Sequence, residues 1–375
     1  MSILIDGRPI RDPISGSAVF IIELVNSLNK LKINPKLFLQ GNQNKNEQLK
    51  NFKFQNTALS NGNKTLENIL YEIGFNSSKL YKNSLKINHE TYFGRLPFKA
   101  AKSIATIHDV IPLDFPEWFT WKNSLFSKRN FKRQIKNADC CVFSSIYTKE
   151  RVEYFGEVKG DYKIVPLAVS NYIHKNVASY NDLGQSSGLL DKVKPHSYIL
   201  AVGNIEPRKN LSLIAEATRK LNKALNLNLD FVIAGHANFE AKKILDEVAT
   251  KLGKNPIVLG FVSNEQKIEL YKHCACHVFA SKYEGFGIPP VESIVIGSPT
   301  VIANNSSLKE LIPNETMSFD FDSVDNLLNA IENNLYVNSH NIVSEEISNY
   351  VNFYKWERVA KDYLEIYHQL GYLDG

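Results

Sequence analysis

The stretch from Ser281 to Gly297, Ser281-Lys-Tyr-Glu-Gly-Phe-Gly-Ile-Pro-Pro-Val-Glu-Ser-Ile-Val-Ile-Gly297, constrains the fold more than any other part of the chain. A short apolar run before it, His277 to Ala280, reads as a strand. A glycine-bearing turn, a Pro-Pro step and an apolar helix follow. Pro289 or Pro290 suits the first helical turn, where a missing N–H costs nothing. Gly297 suits the left-handed position just past the helix end. A loop that opens onto a helix N-terminus offers free N–H groups and the positive end of the helix dipole, which together seat a phosphate. Glu284 and Glu292 flank the turn, eight positions apart, with Glu292 expected in the first helical turn. Phosphate repels carboxylates, whereas hydroxyls donate to them. A ribose and a sugar beside the phosphate would therefore give both glutamates a partner. The plainer alternative is a loop carboxylate and a helix-end carboxylate favoured by the dipole.

Glu284-Gly-Phe-Gly-Ile-Pro-Pro-Val-Glu292 resembles the Glu-x7-Glu signature of retaining glycosyltransferases, and is most similar to the bacterial group 1 family (family 4 of the glycosyltransferase classification). The fold the resemblance implies is α/β, with two facing Rossmann-like domains (GT-B) and a C-terminal helix that crosses back to the first domain.

Length and composition agree with two domains. A chain of 375 residues exceeds one comfortable core. With 43% hydrophobic and 22% charged residues it is an ordinary globular sequence. A net charge of +5 is too mild to call for nucleic acid, yet leaves room for an anionic substrate or membrane surface. Cys140, Cys141, Cys274 and Cys276 sit in apolar runs as close pairs, which makes no disulfide framework and favours a reduced cytoplasmic compartment. The apolar run of Met1 to Asp6 is too short for a signal peptide, and no apolar stretch approaches the ~20 residues of a membrane span.

Along the chain, Ser2 to Asp6 reads as a first strand and Ala18 to Leu31 as a helix, with Phe20, Ile21, Leu24, Val25 and Leu28 at helical spacing. Lys36 to Gln40 and Leu85 to Asn88 read as strands, residues 41 to 64 as a surface loop, and Leu66 to Ile73 as a helix. Ser103 to Ile107 reads as a buried strand ending in His108-Asp109, at the carboxyl end where open α/β sheets place ligands. Trp118 to Asn137 reads as a helix whose Lys128, Arg129, Lys132, Arg133 and Lys136 share one face. That face is either solvated or meets an anionic membrane surface or lipid diphosphate. A domain of residues 1–169 would be followed by a linker at 170–195, a second domain at 196–353, and the returning helix at 354–375.

The second domain opens with a strand, the turn glycine Gly203, then Arg208-Lys209 at the start of a helix. Cations at a helix N-terminus oppose its dipole, so this local misfit itself argues for an anionic ligand. Leu229 to Gly235 reads as another strand with a ligand-facing glycine at its end. Ser263 to Gln266 reads as a capping box, and Ser307 as the cap of a short helix. His273-Cys-Ala-Cys-His277 has four metal-capable residues, but alternation on a strand sends them to opposite faces, so no metal is expected. Asp320-Phe-Asp322 is taken as structural, preceding a helix from Val324 to Leu335.

The resemblance implies a metal-independent hexosyltransferase without a cofactor. Its nucleotide-diphospho-sugar donor would sit at Gly203, Arg208, Lys209, Gly235 and the segment Gly285, Phe286, Gly287 and Ile288. Glu292 would hold the ribose and Glu284 the sugar, while Gly16 and His108 would approach the donor from the first domain. His108, Glu284, Arg208 and Lys209 would carry the reaction. The implied setting is bacterial surface polysaccharide assembly at the inner face of the cell membrane, with a glycan or lipid-linked acceptor and mannose or glucose as the sugar. A nucleotide-sugar-binding protein without turnover, and another enzyme of the same fold such as an epimerase or phosphorylase, stay open as alternatives.

Overall fold

The computed structural model describes residues 2–10, 15–40, 57–60, 85–94, 96, 100–176, 193–237, 241–335 and 345–372. The chain divides into two compact units, residues 1–167 with 356–375, and residues 168–355. The expected helix at Leu66 to Ile73 and most of the expected linker lie outside the described residues.

The first unit is built on the strands β1 (Ser2–Asp6), β2 (Lys36–Gln40), β3 (Thr57–Ser60), β4 (Leu85–Glu90), β5 (Lys102–Ile107), β6 (Cys140–Phe143) and β7 (Asp161–Ile164). They form a seven-stranded sheet of order β3-β2-β1-β4-β5-β6-β7, parallel throughout. Strand β3 was not expected; its residues read as loop because Asn, Lys and Gln dominate the surrounding stretch, while its pairing with β2 is set by tertiary contact. Helix α1 (Gly16–Lys30) follows β1 and starts at Ser15, whose hydroxyl accepts the Ala18 N–H. It buries Phe20, Ile21, Leu24, Val25 and Leu28, the expected helical stripe.

After β5 come the short α2 (Ile111–Asp114), then α3 (Trp121–Asn137) and, past β6, α4 (Ile146–Phe155). The expected single helix from Trp118 is interrupted: Pro116–Trp118 forms a 3-10 turn, and Thr120 caps α3. The expected basic face is also incomplete. Arg133 points inward to Glu90 at 2.8 Å, because the buried Glu90 carboxylate needs a counter-charge, while Lys128, Arg129, Lys132 and Lys136 stay exposed.

The second unit begins with α5 (Asn171–Asn176) and contains β8 (Tyr198–Val202), α6 (Leu211–Leu225), β9 (Asp230–Ala234), α7 (Ala241–Leu252), β10 (Ile257–Gly260) and α8 (Asn264–His273). It continues with β11 (Cys276–Phe279), α9 (Ile288–Ile296), β12 (Thr300–Ala303), β13 (Ser318–Phe319), α10 (Val324–Leu335) and α11 (Glu345–Phe353). The sheet order is β10-β9-β8-β11-β12-β13, again parallel. Both sheets therefore reverse direction of strand addition once, between β1 and β4 and between β8 and β11. Ligands of open α/β sheets bind at the carboxyl ends of strands at such a switch point.

The last helix, α12 (Trp356–Gln369), belongs to the first unit and packs on α1. Trp356, Tyr363 and Tyr367 are among its fully buried side chains. The Tyr363 hydroxyl lies 2.9 Å from Thr106 Oγ1, and that of Tyr367 lies 2.8 Å from His89 Nδ1. Polar residues on buried strands need partners, and the tyrosines of this helix supply them. Among the described residues no helix is long and apolar enough to cross a membrane.

Candidate active site

The switch point of the second unit brings two distant sequence segments together. The chain leaves β8 through Gly203 and forms a 3-10 turn at Pro207–Lys209. It leaves β11 through the loop that holds Glu284. Arg208 and Lys209 are thus not on the helix itself, as expected from sequence. Asn210, in a left-handed conformation, separates their turn from α6.

Lys209 Nζ donates to Glu284 Oε1 at 2.7 Å, and Arg208 Nη1 donates to the same oxygen. Arg208 Nε also donates to Glu206 at 2.7 Å, and the Arg208 carbonyl accepts the Lys282 N–H at 2.7 Å. Lys209 lies 4.4 Å above the Phe279 ring, a cation–π contact in a site where it is nearly buried. Burial pushes Lys209 down from its ordinary pKa and the Arg208 charge adds to this, with Glu284 pulling the other way. Burial would raise the Glu284 carboxyl, but Lys209 and Arg208 outweigh it and hold the group at about 2. The misfit read from sequence is therefore answered within the protein. Glu206 and Glu284 already face the two cations, so an arriving anion would share Arg208 and Lys209 with them.

Two glycines are required by this geometry alone. Gly203 has φ of 137°, and a Cβ there would stand 3.1 Å from Lys209 Cε. A Cβ on Gly235 would meet the Gly203 carbonyl oxygen at 1.9 Å, so the ends of β8 and β9 approach only through glycine.

The loop after Glu284 is pinned from below. Ser307 Oγ lies 2.9 Å from the Glu284 carbonyl and 3.0 Å from that of Phe286, and Ser306 Oγ accepts the Glu284 N–H at 3.2 Å. Ser307 thus holds the loop and does not cap a helix; the 3-10 turn Ser306–Leu311 starts from Asn305. Gly285, Phe286 and Gly287 are buried, and Gly287 is the left-handed N-cap of α9. Ile288 is the first helical residue, so Pro289 and Pro290 both fall in the first turn and Glu292 in the second. The helix starts early because both prolines tolerate positions without a bonded N–H. The free donors at this end are then those of the residues just ahead of the prolines.

Glu292 is buried, with its Oε1 2.6 Å from Lys267 Nζ and its Oε2 3.3 Å from the Tyr271 hydroxyl. Sequence reading missed Glu206, Lys267, Tyr271 and the Ser306-Ser307 pair. The i, i+4 spacing of Lys267 and Tyr271 was visible, but only the fold shows what that face meets.

In the first unit, His108 follows β5 and packs edge-on against Phe20, ring centroids 4.6 Å apart. Its carbonyl accepts from Ser144 at 2.7 Å and Thr148 at 3.3 Å. Both ring nitrogens are buried, and neither makes a hydrogen bond of good geometry among the described residues. Burial lowers its pKa to about 4, with the Thr91 backbone pulling the other way, so the ring is neutral at neutral pH. Gly16 is exposed as the first residue of α1, and a Cβ there would meet nothing within 4 Å. The remaining candidates, Gly203 through Glu292, belong to the second unit. Among the described residues no group of three or more His, Cys, Asp or Glu could hold a metal ion.

Two Rossmann-ordered units, the second with an acid–base cluster at its switch point, define the GT-B class of glycosyltransferase folds. Solved structures agree in fold: sucrose-phosphate synthase from Thermosynechococcus elongatus has a TM-score of 0.74 at 16% identity, covering 99% of both chains. Anabaena HepE, solved in complex with UDP and glucose, has a TM-score of 0.71 at 14% identity over 98% of this chain and 100% of that one. Residues 189–341 match the family described as glycosyl transferases group 1. The serotype-specific mannosyltransferase WbdA of Escherichia coli is 28% identical over 237 residues, 62% of this chain and 29% of that protein. The O-antigen chain mannosyltransferase B of Escherichia coli is 24% identical over 234 residues, 61% of this chain and 60% of its own length. The chain thus spans less than two thirds of each of these relatives.

Proposed function

We propose that the protein transfers a hexose, mannose in the first instance, from a nucleotide-diphospho-sugar to a glycan or lipid-linked acceptor in surface polysaccharide synthesis. The observation that carries this reading is the meeting of Arg208, Lys209 and Glu284 at the β8/β11 switch point, beside the N-terminus of α9. The names of the Escherichia coli relatives favour mannose.

In this reading Arg208 and Lys209 receive the diphosphate, helped by the N–H groups of Phe286, Gly287 and Ile288. Glu292 accepts from the ribose hydroxyls and Glu284 from the sugar. The bond from the sugar's anomeric carbon to the diphosphate oxygen breaks, and the bond to the acceptor oxygen forms on the same face. The acceptor proton passes to the departing diphosphate, whose charge the two cations stabilise. His108, held neutral, is suited to accept or donate a hydrogen bond without adding charge. The chemistry calls for no metal. The exposed end of α3, with Trp121, Leu125 and the following lysines, supports docking on an anionic membrane where a lipid-linked acceptor is met.

Thermal-shift screening with GDP-mannose, UDP-glucose and ADP-glucose tests donor binding first. A ligand at about 100 times its Kd adds about 2.7 kcal/mol to stability. Nucleoside diphosphate release with a new glycosidic bond of unchanged anomeric configuration, undiminished by EDTA, is then expected. Donor binding with no transfer to any glycan or lipid acceptor would falsify the enzymatic reading. Co-sedimentation with phosphatidylglycerol vesicles, lost on Trp121→Ala, checks the membrane contact.

A further inference from the structure

Helix α9 is apolar except for Glu292 and Ser293, and most of it is buried. An ionised carboxylate in such a place is costly unless it is paired, and a leucine would fill the position without that cost. The protein instead keeps the acid and brings two partners to it from one face of α8. Lys267 and Tyr271 stand four residues apart, one helical turn, and reach the two carboxylate oxygens separately, at 2.6 and 3.3 Å. The Tyr271 proton is shared, because the Pro289 carbonyl lies 3.2 Å from the same hydroxyl. Lys267 is therefore the stronger partner. Its side chain is 20% exposed against 5% for Glu292, so the lysine enters from the rim and the carboxylate lies within. Tyr271 is pushed well above its ordinary pKa by burial and by Glu292, so its hydroxyl stays protonated and able to donate.

We infer that Lys267 is a positioning residue for nucleotide recognition, which with Tyr271 holds Glu292 ready for the ribose diol. The inference rests on the reading of Glu292 given under the proposed function. A carboxylate has about four lone-pair sites, and the lysine and tyrosine occupy two. Two remain, which matches the two adjacent hydroxyls of a ribose. Without Lys267 the carboxylate is free to turn, and the diol loses a fixed acceptor. The diphosphate, held by Arg208 and Lys209, does not depend on this pair.

The test separates the two parts of the ligand. Calorimetry measures binding of inorganic pyrophosphate, of UDP, GDP and ADP, and of the 2′-deoxy form of whichever nucleotide binds best. The wild-type protein is expected to prefer the ribonucleotide over both pyrophosphate and the deoxynucleotide. Lys267→Met is expected to weaken the ribonucleotide roughly tenfold, with pyrophosphate unchanged and the preference over the deoxynucleotide reduced. Lys267→Arg restores binding, and Tyr271→Phe gives a smaller loss of the same selectivity. If Lys267→Met fails to fold, Tyr271→Phe and Lys267→Arg carry the test through the ribo-to-deoxy ratio, and an unaltered ratio in Tyr271→Phe overturns the inference. Ribonucleotide binding at wild-type strength in Lys267→Met, or an equal loss of pyrophosphate, also overturns it. A wild-type protein that binds none of the three nucleotides overturns the functional reading itself.

Discussion

At the scale of single residues, one oxygen of Glu284 joins two cations that sequence alone placed 75 and 76 positions away. Glu284 has two duties in the proposed reaction: it meets the sugar, and it holds Arg208 and Lys209 in place before the donor arrives. The consequence is a split between binding and turnover. Glu284→Gln is expected to lower transfer on the order of 100-fold while binding pyrophosphate at least as well as wild type, since a competing charge is gone. Lys209→Ala should weaken pyrophosphate instead; calorimetry and a nucleotide-release assay distinguish the two. The buried histidines make a second prediction. Burial lowers His108 to about 4, His89 to about 3 and His277 to about 3, in the last two cases with help from the His108 and Lys209 charges. Between pH 6.5 and these values the unfolded chain binds protons that the native state refuses. Stability is therefore complete above pH 6.5 and falls as the pH drops toward 4 and 3, with His108 alone contributing on the order of 3 kcal/mol. NMR titration of the imidazole signals should show these three rings still neutral at pH 5.5.

At the scale of elements, glycines decide how strand ends meet. Gly235 and Gly203 let β9 close against β8, and Gly287, with φ of 110°, turns the loop into α9. Gly235→Ala would set a methyl 1.9 Å from a carbonyl oxygen, so the strand end must move. A cost of about 1–3 kcal/mol is expected in urea unfolding, with diphosphate binding lost because Lys209 is carried on the displaced turn. The strand–loop–helix at 276–296 was legible in sequence because glycine and proline mark it directly. The 3-10 turn under Arg208 and Lys209 was not, since its short i, i+3 pattern leaves no apolar period to read. Nor was the role of Ser307, whose spacing from Glu310 mimics a capping box while its hydroxyl serves a loop more than 20 residues earlier.

At the scale of the molecule, the C-terminal helix is a structural part of the first unit. Trp356 is fully buried against Phe20, ring centroids 5.9 Å apart, and Arg358 donates to the Pro166 carbonyl at 2.6 Å. Trp356→Ala should cost about 3–5 kcal/mol, felt by the first unit, while Tyr363→Phe removes only the hydrogen bond to Thr106. Calorimetric scanning is expected to show the first unit melting earlier in Trp356→Ala. A nucleoside diphosphate should still raise the melting of the second unit, where its proposed ligands all lie.

The order of apolar runs and breakers determined by itself that the chain is α/β, while the two nucleotide-type domains and the grouping of Arg208, Lys209, Glu284 and Glu292 came with the family resemblance that its motifs carry. Those signals are local: a helix period, a strand run, a glycine or proline at a turn. What only the tertiary structure decided is who satisfies whom. Glu206 and Glu284 neutralise the cations, Lys267 and Tyr271 hold Glu292, and Arg133 turns from the solvent face to Glu90. A buried charge takes its partner from whatever element packs over it, and that choice depends on distance in space, which spacing along the chain does not encode.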